Sequence, residues 1–234
     1  MNAQYPPSQL PSQVGLRPPA ALSAAFLTHA FTWMFAGLLL TAAVAGFVQA
    51  SPQLLRFAAD WVMLVILAQL GLVVVISGAI NRIGATTALG LFFAYAASLG
   101  LTVGLIVSFY TTASVAAAFL SASAVFGGAA LYGATTKRSL IGLGPLLSFG
   151  VIGLVVALVV NLFLGSSPFG YLLSIGGVVL FTVLTAYHVQ RISAGDLAAR
   201  YGSMEKAAVI GALSLYLAFI NIFLFLLRIL GDRR

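Results

Sequence analysis

Residues 83–136 carry not one Asp, Glu, Lys or Arg, and neither do residues 139–190. A soluble domain, in which roughly a quarter of the residues are charged, cannot cover its surface with runs like these. Such stretches are stable where the solvent is hydrocarbon. There the backbone must satisfy its own hydrogen bonds, which demands spanning helices of about 20 residues. The rest of the chain agrees: 62% of its 234 residues are hydrophobic and 6% charged. The expected fold class is therefore an all-α integral membrane protein.

Residues 1–21 hold five of the eight prolines among Gln, Ser and Asn, a composition too polar to order itself by burial, so this tail is expected to be flexible. Residues 22–234 form one transmembrane domain. Its first span is expected over Ala24–Val48, closed by Gln49, Ser51 and Pro52, and its second over Trp61–Ile80. The apolar run that opens the domain is too long for a signal-peptide core and stays in the membrane. The two charge-free runs are each long enough for two helices. Tyr110–Ser114 breaks the first into spans near 85–109 and 114–134; Gly165-Ser166-Ser167-Pro168 breaks the second into spans near 141–164 and 169–189. Ala207–Leu227 completes seven. Gly100-xxx-Gly104 and the pairs Gly127-Gly128 and Gly176-Gly177 offer places for close helix approach.

Seven cations fall on the side of the N-terminus and alternate loops: Arg17, Arg82, Lys137, Arg138, Arg191, Arg200 and Lys206. Four fall on the other: Arg56, Arg228, Arg233 and Arg234. The positive-inside rule then puts the N-terminus in the cytoplasm. The same scatter, one or two cations at a time, is no basic patch, and nucleic acid is not an expected partner. The lipid bilayer is.

The chemistry-bearing inventory is small. With no cysteine, two histidines and four acids, the chain offers little for a metal site or a thiol nucleophile, and no cofactor is expected. All four acids (Asp60, Asp196, Glu205, Asp232) lie at span ends or in loops, so no carboxylate is kept within the bilayer, where a charge is retained mainly for function. A retinal pump would need a mid-helix lysine with a counter-ion, and Lys206 at a span edge is neither. An intramembrane serine protease would have to use Ser214 with His188, and no nucleophile motif surrounds Ser214. The chain is therefore expected not to be an enzyme. His188, in Thr185-Ala-Tyr-His-Val-Gln190, has two readings: a hydrogen-bonded interfacial residue, or a pH-responsive gate. His29 begins the first span on the same expected side. Gln69, Asn161, Asn221, Tyr187 and Tyr216 lie inside spans and need partners there. Inter-helix hydrogen bonding is one role for them; Tyr187, Tyr216 and Asn221 are also candidates to line a hydrated cavity.

Four collinear blocks carry a resemblance. Tyr132-Gly-Ala-Thr-Thr-Lys-Arg138, Val160-Asn-Leu-Phe-Leu-Gly-Ser-Ser167, Phe181-Thr-Val-Leu-Thr-Ala-Tyr187 and Ala212–Arg228 are similar to the signature blocks of the Bax inhibitor-1 (transmembrane Bax inhibitor motif) family, from about residue 26 to the end. The resemblance implies seven helices with the last one central in the bundle. It also implies a pH-sensitive calcium leak, in which two aspartates on the last two helices share a proton. Two close carboxylates cannot both ionise cheaply, so the pair works as a proton-operated latch and attracts a hard cation. An arginine at the end of the second helix, which Arg82 matches, is implied to help hold the closed state. Here the family's Thr-Ala-Tyr-Asp is Thr185-Ala-Tyr-His188, and its Leu-Tyr-Leu-Asp is Leu215-Tyr-Leu-Ala218. Both acids are replaced, and the cations left near that end repel a divalent ion. Two functions remain open: a channel-like protein with altered conduction, His188 being its titratable group, or a non-conducting interaction protein that regulates a membrane protease or stress response and docks its partner through the tail. Calcium or another cation would be the ligand of the first. A bacterial plasma (inner) membrane is the expected location.

Overall fold

The computed structural model describes residues 20–232, with side chains from residue 25 onward. The tail expected over 1–21 lies, but for its last two residues, outside them. The described chain is helical: α1 (Ala20–Ala50), α2 (Pro52–Asp60), α3 (Val62–Ala79), α4 (Ala85–Val107), α5 (Thr112–Thr135), α6 (Gly144–Leu164, after a 3-10 turn at Ile141–Leu143), α7 (Ser167–Ser193), α8 (Asp196–Tyr201) and α9 (Met204–Leu230). Seven of these are long and apolar enough to cross a membrane: α1, α3, α4, α5, α6 with its leading turn, α7 and α9.

The breaks are built from local chemistry. Gly165 ends α6 in the left-handed region (φ 61°), where a side chain would be strained, and Ser166 then caps α7 by accepting from the Phe169 amide at 3.3 Å. Thr111 caps α5 in the same way, through the Ser114 amide at 3.2 Å. Ser51 and Pro52 do more than close the first span: Ser51 caps, and Pro52 opens, the short helix α2, an element absent from the sequence expectation. With Gln53, Arg56 and Asp60 interleaved with Leu54, Leu55 and Phe57, α2 is amphipathic. The turn after α4, the end of α6, α2 and the C-terminus share one end of the bundle, called here the Arg228 end. The C-terminal strand of backbone is tied down there: the Thr111 amide donates to the Asp232 carbonyl at 3.2 Å, and the Asp232 amide to Ser114 Oγ at 3.0 Å. The starts of α1, α4, α6 and α9 share the opposite, His188 end.

Helix α9 is the axis. It packs against α1, α4, α5, α7 and α8, and 67% of its apolar window is buried, more than for any other span. Around it, α1 and α4 approach closely because glycine permits it. A Cβ on Gly100 would stand 2.5 Å from the Cβ of Val44, and one on Gly104 2.8 Å from that of Val48. Gly127 and Gly128 make no such contact, since nothing lies within 4 Å of either site; that pair faces away from neighbouring helices. Of the other expected pair, Gly177 lies under the Phe225 ring and Gly176 is open. Helices α3 and α6 form the periphery, packed chiefly on α4 and α7 respectively.

Candidate functional site

Two of the residues singled out in the sequence, His188 and Ala218, lie on the neighbouring helices α7 and α9. The two helices run antiparallel, and three contacts fix their register. Ile192 Cδ1 lies 3.1 Å from where a Gly211 Cβ would stand, Phe225 covers Gly177, and the Arg228 guanidinium covers Gly170. The contact stripe of α7 repeats every three or four residues, through Gly170, Gly177, Phe181 and Ile192. The facing stripe of α9 runs through Gly211, Phe225 and Arg228. His188, one turn before Ile192, and Ala218, two turns after Gly211, continue these stripes, and the register sets them within about one helical turn (~5 Å) of the same depth.

At that depth the seam holds no carboxylate. Ala218 is 1% exposed and contributes a methyl group. His188 is half-buried, and its ring makes no hydrogen bond among the described residues; it packs edge-on to Tyr187 at 5.3 Å between centroids. Tyr187 also carries the Arg191 guanidinium over its ring at 5.4 Å, and its hydroxyl occupies the space that a Gly144 Cβ would fill. Arg191 in turn lies 4.0 Å from Asp196, the one ion pair among the described residues. Arg82 stands exposed in the turn after α3. His29 is exposed as well, while its neighbour Ala30 packs on Gly211. The Ser214 hydroxyl donates back to the Ile210 carbonyl at 2.9 Å.

On the α1 and α4 side of α9, two residues from Ala218, lies the centre of the bundle. Tyr216, with no exposed surface, stands edge-on between Phe92 (5.5 Å) and Tyr95 (5.9 Å). Its hydroxyl lies 2.6 Å from Thr41 Oγ1, which is also within 2.9 Å of the Ala96 carbonyl and 3.0 Å of the Gly37 carbonyl. A threonine has one proton to give, and both carbonyls only accept. Thr41 therefore donates to the carbonyls and Tyr216 donates to Thr41. This knot joins α1, α4 and α9 at mid-span. Of the other polar groups, Gln69 Nε2 donates to the Ser98 carbonyl and Thr102 Oγ1, both at 2.9 Å, holding α3 to α4. Asn221 Nδ2 donates within α9, to the Leu217 carbonyl at 2.8 Å. Thr41 was not singled out in the sequence, nor was Gln190. Gln190 grips the loop before α6 from both sides: Oε1 accepts from the Leu140 amide at 2.6 Å and Nε2 donates to the Arg138 carbonyl at 2.8 Å.

Seven apolar spans, four of them packed around the last, define a multipass membrane protein. The chain belongs to the family described as "Inhibitor of apoptosis-promoting Bax1", which it matches over residues 23–234. It is 40% identical over 215 residues to "Inner membrane protein YbhL" of Escherichia coli (strain K12), covering 89% of this chain and 92% of that protein. An uncharacterized protein of Deinococcus radiodurans is 42% identical over 209 residues (89% and 90% covered), and one of Borreliella burgdorferi 45% identical over 174 residues (74% and 75%).

Proposed function

We propose that this chain is an inner-membrane protein of the Bax inhibitor-1 type whose seam does not conduct calcium. The observation that carries the reading is a histidine without a hydrogen bond and a buried methyl group within about one helical turn (~5 Å) of each other along the α7–α9 seam. Calcium needs six to eight oxygen ligands, and the seam offers no side-chain carboxylate oxygen. Of the charged groups at that end, Arg191 is paired with Asp196, and Lys137 and Arg138 add positive charge that repels it. On this reading the protein is not an enzyme, and its work is interaction with another membrane protein, with the Pro/Gln-rich tail as the docking segment. Cation excess in the loops of the His188 end supports a cytoplasmic N-terminus, and the name of the Escherichia coli relative supports the inner membrane.

A second reading rests on His188 itself. A half-buried imidazole without a hydrogen-bond partner, set in a helix seam, suits a proton-responsive gate, and the conducted ion would then be other than calcium. Calcium flux into dye-loaded proteoliposomes of the full chain tests the first reading. Flux at the level of empty vesicles is expected across about pH 5.5–8, and calcium flux above that level overturns it. Proton or potassium flux that is lost in His188→Ala would favour the second.

A further inference from the structure

At the Arg228 end, three residues from three helices form a group far along the seam from His188 and Ala218. Arg228, in the last turn of α9, is half-buried and has no carboxylate within ion-pair distance among the described residues. Its guanidinium reaches α7 at Gly170: a Cβ there would stand 2.8 Å from Cζ and collide with Nη2. The same point is 2.8 Å from Nδ2 of Asn161 on α6. Asn161 is 8% exposed, and its Oδ1 is buried with no hydrogen-bond partner. So, as the amide stands, a donor faces a cationic donor, and the acceptor meets nothing. Both are costly away from water.

One rotation gives the buried oxygen a partner. The two ends of an amide are nearly equal in shape, so a half-turn exchanges Nδ2 and Oδ1 without moving a neighbour. The oxygen then points at the guanidinium, and a hydrogen bond to a charged donor is among the stronger ones available. We propose that Arg228 donates to Asn161 Oδ1, and that this bond ties α9 to α6 across Gly170 and holds the peripheral helix α6 shut at this end. The tie matters because α6 packs chiefly on α7 and only 11% of its apolar window is buried. Its other end is already gripped, through the loop that Gln190 holds. Gly170 is then required as the gap through which the arginine reaches. The tie is independent of whether the seam conducts.

A double-mutant cycle on thermal unfolding of the full chain in detergent tests it. Asn161→Leu and Arg228→Met are each expected to lower Tm by about 2–5 °C. The double variant should fall no further than the worse single, because one bond is lost in all three. In a Gly170→Ala background, Asn161→Leu should have no added effect, and Asn161→Asp, which keeps an oxygen acceptor, should hold Tm at the wild-type value. A second readout does not depend on stability. The chain has no cysteine, so spin labels at Leu164→Cys and Phe109→Cys, both exposed at this end, report α6 alone. Their distance distribution should broaden in Asn161→Leu. Additive Tm losses with an unchanged distribution would overturn the proposal. So would a wild-type Tm that drops in nanodiscs lacking phosphatidylglycerol while that of Arg228→Met does not, since a lipid phosphate would then be the partner of the arginine.

Discussion

Helices α6 and α9 have nearly the same mean hydropathy, 2.6 and 2.4, yet 11% of the α6 window is buried in the bundle against 67% of the α9 window. In water that contrast would be impossible, because an all-apolar surface helix would be driven inward. In lipid it is ordinary: hydrocarbon is as good a neighbour as leucine, so apolarity drives neither helix to the centre. What separates them is shape and a few polar atoms. Helix α9 offers Gly211, Ala212 and Ala218 for close approach and Tyr216 to bond across to Thr41. Helix α6 shows Phe149, Leu162 and Phe163 to the bilayer. The centre is held by close packing around one buried polar knot, and the periphery by a few polar ties.

Paired substitutions at the two places sharpen this contrast. The largest expected effect is Tyr216→Ala, which removes a fully buried ring and its hydroxyl; Tm should fall by about 10 °C, whereas Phe163→Ala, at a ring 84% exposed, should move it by about 1 °C or less. Equal losses would mean that lipid-facing packing matters as much as the core. Next come the glycines. Gly133→Leu drives a side chain into the Ala186 backbone, with its Cα 2.8 Å from the new Cβ, and should cost about 5 °C or more; Gly153→Leu, with nothing within 4 Å, should be neutral. For the periphery, Gln69→Leu loses both bonds from α3 to α4, and a drop of about 2–4 °C is expected in detergent thermal melts. Smallest in stability is Gln190→Leu. Tm should hardly change, but hydrogen exchange at the Leu140 amide should speed up about tenfold or more as its 2.6 Å bond disappears. Unchanged exchange would show that the loop holds itself.

Most of the fold can be read from the sequence because lipid imposes one rule on every span. All seven expected spans are present, with ends moved by a few residues. Helix α7 runs on to Ser193 rather than stopping near 189, since Tyr187, Gln190 and Arg191 continue a helix beyond the end of its apolar text. Helix α2 was hidden because Ser51-Pro52 ends one helix and starts the next; a serine followed by proline is itself a start signal. Helix α8 is six residues bounded by Gly195 and Gly202 in positive-φ conformations, too short to show periodicity. The site divides similarly. The blocks around Tyr187 and Tyr216 point to α7 and α9, but the depth match of His188 and Ala218 exists only once the two helices are set antiparallel. Arg82, drawn in by resemblance, stands exposed at a turn. Thr41 looked like one more small polar residue in an apolar run. Its importance comes from α4 and α9 converging on it, which no local pattern records.

On the proposed reading, the α7–α9 seam is silent to calcium because no carboxylate lies near the depth of His188 and Ala218. The most direct measurement is calcium flux into dye-loaded proteoliposomes, between about pH 5.5 and 8, for the wild type beside His188→Asp/Ala218→Asp. Two carboxylates placed within a helical turn of each other should share a proton and conduct in a pH-dependent way. On that reading, flux is expected in the double variant and none in the wild type. Calcium flux through the wild type, or a folded double variant that stays silent across the whole range, would contradict it.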